Sequence, residues 1–117
     1  MGSEMMKLID EQREAYNNQD LEGFLGCYSD TIEVYMLQND QKLTNSKTEL
    51  AATMKAAFDA DPESHTELLA RLEQGNLIID QEKITGHSGL KEIRSISIYE
   101  IIDNKISKLW FGGRTVK

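Results

Sequence analysis

The sequence predicts an α+β domain in which three N-terminal helices cover a curved antiparallel sheet. Three observations carry that prediction. Helical periodicity appears only ahead of Pro62, strand-type residues fill the chain after it, and the turns joining those strands are short. Helices grouped before a meander of strands place the helices on one face of an antiparallel sheet, whereas a parallel sheet would alternate strand and helix. A bent sheet closed by helices encloses a hollow, giving the domain the shape of a cone. Its 117 residues suit one domain spanning 1–117, with residues 1–4 read as a tag or a disordered start.

The first helix is expected from residue 4 to 17, because Met5, Leu8, Ile9, Gln12, Ala15 and Tyr16 recur at three- and four-residue spacing. Gln12 is the polar member of that apolar stripe. Asn17-Asn18-Gln19-Asp20 breaks the helix, and Asp20 is placed to cap a short second helix carrying Leu21, Phe24, Leu25 and Tyr28. Thr31 to Leu37 alternates Ile32, Val34 and Met36 against Thr31, Glu33 and Tyr35, the period of a strand.

Ser46-Lys47-Thr48-Glu49 is a capping-box pattern that opens the third helix. Leu50, Met54, Ala57 and Phe58 follow at helical spacing, and Asp61-Pro62 closes it, since a residue before proline disfavours the helical region. Four strands are then expected at His65 to Glu73, Leu77 to Thr85, Lys91 to Ile102 and Lys105 to Phe111. Turns at Gly75-Asn76, His87-Ser88-Gly89 and Asp103-Asn104 make neighbours antiparallel.

Charge narrows the function classes. A formal charge of -7 repels phosphate backbones and anionic lipid, and no Lys/Arg block interrupts it, so no nucleic-acid or membrane partner is expected. No stretch approaches the roughly 20 apolar residues of a membrane span, and the N-terminus lacks the pattern of a secretory signal. A cytoplasmic location is therefore expected. The lone Cys27 and the two histidines supply no metal-ligand spacing, so no metal is expected, and neither function left open by the sequence calls for an organic cofactor.

Several strings resemble, in order and spacing, the SnoaL-like and ketosteroid-isomerase-like branch of the nuclear-transport-factor-2-like (cystatin-like) superfamily. They are Ala15 to Leu21 at the helix break, Tyr28-Ser29-Asp30 before the first strand, Arg71 to Asp80 around Gly75-Asn76, and Ile98 to Ile106 before Trp110-Phe111. The resemblance spans nearly the whole chain. It implies the cone-shaped fold, but such folds host isomerases, cyclases, dehydratases and plain binding modules, so it does not fix an activity.

In isomerases of that branch a first-helix phenol and a late-strand acid stabilise a dienolate oxygen while a first-strand aspartate moves the proton. Aligned on Asn17 and Asp20, the phenol position falls at Gln12, the base position at Met36, and the acid position at Ser97 or Ile98. None of the three matches, and a thioether cannot accept a proton. Steroid isomerisation by that mechanism is thus disfavoured, and a proton-transfer enzyme would need a relocated base. Asp80 and Glu82 are the candidates.

A two-residue turn at Gly75-Asn76 sets Arg71 opposite Asp80 and Leu69 opposite Glu82. Two readings follow: an ordinary ladder ion pair, or a cavity face on which Arg71 fixes a ligand oxygen and a carboxylate acts as base. A two-residue turn at Asp103-Asn104 pairs Ile98 with Leu109 on one face, and Tyr99 with Lys108 and Ser97 with Trp110 on the other. Alternation does not say which face is the pocket.

The ligand wall is expected to comprise Gln12, Tyr16, Met36, Met54, Phe58, Arg71, Tyr99 and Trp110. Two functions remain open. One is an isomerase- or lyase-type enzyme acting on a small apolar carbonyl compound. The other is a non-catalytic homodimer, paired through the sheet, that binds an apolar ligand or another protein.

Overall fold

A computed structural model describes residues 3–117, and the order of its elements follows from local chemistry. Helix α1 (Glu4–Asn17) starts where Ser3 Oγ accepts the Met6 N–H at 3.0 Å. Ser3 and Glu4, read from sequence as part of a tag, are thus the cap and first residue of the helix. Met1 and Gly2 lie outside the described residues.

Asp20 caps α2 (Leu21–Leu25) by accepting from Gly23 N, as expected. Ser46 caps α3 (Lys47–Ala60), accepting from Glu49 N, while Glu49 Oε1 reaches back to Asn45 N, one residue earlier than the capping-box pattern predicts. Asn17, read from sequence only as a helix breaker, staples α1 to the sheet. Its side chain donates to Thr66 O at 2.9 Å and accepts from Thr66 N at 2.7 Å, imitating one rung of a strand ladder.

Six strands form one sheet: β1 (Tyr28–Met36), β2 (Lys42–Thr44), β3 (His65–Gln74), β4 (Leu77–Thr85), β5 (Ile93–Ile102) and β6 (Lys105–Val116). Their order is β2-β1-β6-β5-β4-β3. The sheet is mixed, which corrects the all-antiparallel expectation. Strands β1 and β6 run parallel, because the chain leaves β1, crosses through α3 and the β3–β5 meander, and returns along β1 in its original direction. The short edge strand β2 was not expected, since three residues carry too little alternation to register as a strand.

Bulges bend the sheet and shift its faces. The Gly75-Asn76 hairpin keeps the predicted register from Gln74↔Leu77 to Arg71↔Asp80, but Leu69 then bulges and Leu68, not Leu69, stands opposite Glu82. In the last hairpin Ser107 is the extra residue: Glu100 pairs with Lys108 while Ile101 pairs with Ile106. That insertion moves every later pair by one, so Leu109 meets Tyr99 and Trp110 meets Ile98, the reverse of the sequence expectation.

The helices cover the concave face. There Ile9 of α1 and Ile32, Ile78 and Ile106 of the sheet are wholly buried, each contributing about 1.5–3 kcal/mol of hydrophobic stabilisation.

Candidate active site

Between the helices and the concave face lies a hollow of about 150 Å³ with both apolar and polar walls. Helix α1 contributes Gln12, Arg13 and Tyr16, β4 contributes Glu82, and β5 contributes Tyr99. Strand alternation puts Ile78, Asp80, Glu82 and Ile84 on the same side of β4, and cross-strand register puts Tyr99, Ser97, Ser95 and Ile93 beside them on β5. An adjoining hollow of about 350 Å³, nearly all apolar, is walled by Met36, Ile93, Phe111 and their neighbours and shares Ile84 with the inner one.

Glu82 is the ionisable centre of the inner hollow. It is 7% exposed, and its Oε1 accepts a hydrogen bond of 3.0 Å from Ser97 Oγ. Burial pushes its carboxyl up to about 7 against the pull of that hydrogen bond; the charge of Asp80 pushes the same way as burial, and those of Arg13 and Arg71 oppose it. A carboxyl poised near neutrality can both give and take a proton.

Gln12 is also buried, and its amide is engaged by the protein. Its Oε1 accepts from the Tyr28 hydroxyl at 2.8 Å, and its Nε2 donates to Ile9 O at 3.4 Å. Burial holds the phenols of Tyr28 and Tyr99 well above their usual range, so both remain neutral hydroxyls.

The Asp80 carboxylate is fully buried and held by Arg71 through two hydrogen bonds, Nε at 2.7 Å and Nη2 at 2.8 Å. Arg71 Nη1 also reaches Asp10 Oδ1 at 2.9 Å, and Asp10 pairs with Arg13 Nη2 at 3.1 Å. Asp80 therefore anchors a chain of four alternating charges from β4 to α1.

The sequence profile described as a SnoaL-like domain matches residues 9–109. The chain belongs to the SnoaL-like domain family. No curated protein sequence matches it. Among solved structures it is similar to a cystatin-fold protein from Novosphingobium aromaticivorans, with a TM-score of 0.84 at 18% identity, covering 95% of this chain and 99% of that one. A candidate polyketide cyclase from Sinorhizobium meliloti gives 0.79 at 14% identity, covering 95% and 100%. A candidate ketosteroid isomerase from Kribbella flavida gives 0.78 at 10% identity, covering 92% and 76%. At these identities the likeness establishes the fold, a cystatin-like, nuclear-transport-factor-2-like cone.

Within this SnoaL-like domain the structure gathers Gln12, Tyr16, Met54, Glu82 and Tyr99 at the inner hollow and puts Met36 in the wall of the outer one. Phe58 packs edge-on to Tyr16 with ring centroids 5.6 Å apart, behind the wall rather than in it. Arg71 and Asp80 satisfy one another outside the hollow. Trp110 lies on the convex face, stacked on Tyr35 at 6.1 Å, because the Ser107 bulge turned it away from Tyr99.

Arg13 was missed from the sequence. Its only signal was the i,i+3 spacing from Asp10, which on a helix reads as a solvated ion pair. Among the described residues no group of three or more His, Cys, Asp or Glu side chains is placed to hold a metal ion, and no helix is long and apolar enough to cross a membrane.

Proposed function

We propose that this SnoaL-like domain is a small-molecule enzyme that moves a proton on an apolar carbonyl compound, in the isomerase, cyclase or dehydratase class, with Glu82 as acid and base. The observation that carries the reading is a carboxyl buried at a cavity wall and poised at about 7. It stands in for the base that the family pattern would put at Met36. Asp80, the other candidate, is tied to Arg71 and unsuited to exchange protons with a guest. The outer hollow would take the apolar body of the substrate and the inner one its carbonyl end. Proton transfer of this kind requires no metal or organic cofactor. Steroid isomerisation through a phenol, an aspartate base and a late-strand acid is not proposed, since Gln12, Met36 and either Ser97 or Ile98 stand where the family pattern puts those groups.

The test is exchange of α-protons for deuterium in a panel of small cyclic ketones, followed by NMR. Glu82→Gln is expected to slow exchange by ~10²–10⁴. Exchange that proceeds equally in the Glu82→Gln protein ends the reading.

A second reading, a homodimeric binding module, is favoured by the convex face. Register aligns Leu72, Ile79, Ile98, Trp110 and Tyr35 in one row across five strands. Leu72 is 58% exposed, and Glu33, Lys108 and Glu100 lie in the next row along the strands. A second copy of the chain is the proposed occupant: two-fold pairing lays such a row on itself and sets the Lys and Glu side chains of the two copies against each other. Ligand binding without exchange chemistry in the unmodified protein would favour this reading over the enzyme.

A further inference from the structure

Arg13 is held at one end and free at the other. Its Nη2 pairs with Asp10, which Arg71 fixes in turn, and Arg71 is locked onto the fully buried Asp80. Asp10 Oδ1 lies at ion-pair distance from both guanidinium groups without a hydrogen bond to either, so the chain tethers the Arg13 guanidinium but leaves its plane free to turn. Arg13 lines the inner hollow, and its other terminal nitrogen, Nη1, is buried against the protein with no hydrogen-bond partner among the described residues, so a small turn of the guanidinium is needed to present it to a guest. A buried N–H without an acceptor is unfavourable, so a guanidinium tethered in this way on a residue of the cavity wall gains an acceptor when a guest brings one. Arg13 makes its ion pair with Asp10 and not with Glu82, which leaves the hollow between the two groups open to such a guest.

We propose that the Arg13 guanidinium receives the oxygen of the reacting carbonyl and holds it as the enolate, so that the substrate is a ketone or β-dicarbonyl whose oxygen lies toward α1 and whose acidic C–H faces Glu82. This rests on Glu82 acting as the base. In the forward step the Glu82 carboxylate takes the α-proton, the C–H electron pair becomes the carbon–carbon double bond, and the carbonyl π pair moves onto oxygen. The protonated Glu82 then returns its proton to carbon and the carbonyl re-forms. Negative charge passes from Glu82 to the oxygen beside Arg13, so the hollow gains no net charge and needs no co-reactant. Among the described residues no other cation lines this wall: Lys7 and Arg71, the remaining cations of the neighbouring α1 and β3 segments, are absent from it.

The probes are 4-nitrophenol, whose ionised form mimics an enolate and has its own absorbance, and 4-nitrotoluene, its neutral counterpart. The Glu82→Gln protein, which keeps Arg13 and removes the competing carboxylate, is expected to bind 4-nitrophenol with its ionisation moved to lower pH. Adding Arg13→Met is expected to weaken 4-nitrophenolate binding by ~10² while leaving 4-nitrotoluene binding unchanged, and Arg13→Lys is expected to restore part of the loss. The proposal is overturned if 4-nitrophenol does not bind, if its ionisation moves upward on binding, or if Arg13→Met weakens both probes equally. Ketone exchange separates the two ideas. Exchange that survives Glu82→Gln removes the base, with the Arg13 seat judged by the phenolate result, whereas loss of exchange with Arg13-independent phenolate binding removes Arg13 alone.

Discussion

Ser97 Oγ donates to Glu82 Oε1 at 3.0 Å, although the strand register places Ser95, not Ser97, directly opposite Glu82. The bond is diagonal. It engages one carboxyl oxygen from the side and leaves the other for the hollow, so Ser97 tunes the acid without blocking it.

Removing that bond has a defined sign. The Ser97 hydrogen bond lowers the Glu82 ionisation while burial raises it, so Ser97→Ala is expected to move Glu82 above about 7. The activity limb that requires the Glu82 carboxylate should shift to higher pH by the same amount. A profile that does not move would show that Glu82 is not the titrating base.

Glu82 also makes stability depend on pH. Its carboxyl is raised from 4.5 to about 7 in the folded protein, so from pH 4.5 to 7 the unfolded chain has released this proton while the native state retains it. Stability then falls as pH rises through that window and levels off above it, a loss of about 3 kcal/mol at most. Chemical denaturation across the window should show this slope in the unmodified protein and not in Glu82→Gln. Equal slopes would contradict the buried carboxyl.

Gln12→Leu is expected to cost stability as well as a contact in the wall of the hollow. Leucine would orphan the buried Tyr28 hydroxyl, at a cost of about 1–3 kcal/mol. Adding Tyr28→Phe removes the orphaned group and should recover much of the loss. The four proteins form a double-mutant cycle readable by urea denaturation, and additive losses would mean that the two side chains are not coupled.

Arg71→Met is expected to be the more damaging change. It leaves the Asp80 carboxylate, 0% exposed, without its cation, which destabilises by about 3–5 kcal/mol. Arg71→Met combined with Asp80→Leu should regain much of that stability. An effect of Arg71→Met below about 1 kcal/mol would place the pair with exposed ladder ion pairs.

On the convex face, Trp110→Asp puts a charge inside the apolar row, between Ile98 and Tyr35. Light scattering coupled to size exclusion is expected to report a dimer for the unmodified chain and a monomer for the variant. A monomer in both removes sheet pairing.

Several features were legible in the residues themselves. Capping by Asp20 and Ser46, the Arg71–Asp80 pairing set by the Gly75-Asn76 turn, and the inward stripe of α1 all depend on neighbours within a few positions, where propensity and periodicity act. Glu82 could be named as a candidate base because alternation puts it on one side of β4 with Asp80. Its depth could not be foreseen, since burial depends on α1, more than 60 residues away in the chain.

The sequence by itself determined the class, the order of elements and which side chains share a strand face, because these follow from periods of 3.6 and 2 written into adjacent residues. Tertiary structure decided which face encloses the hollow. Single-residue bulges at Leu69 and Ser107 exchange the two faces of a strand, and a bulge is set by how the whole sheet bends to meet the helices. That bend turned Tyr99 inward and Trp110 outward. Long-range packing likewise converted Arg13, an ordinary helical charge by sequence, into a tethered guanidinium with a buried, unpaired nitrogen on a residue that lines the cavity.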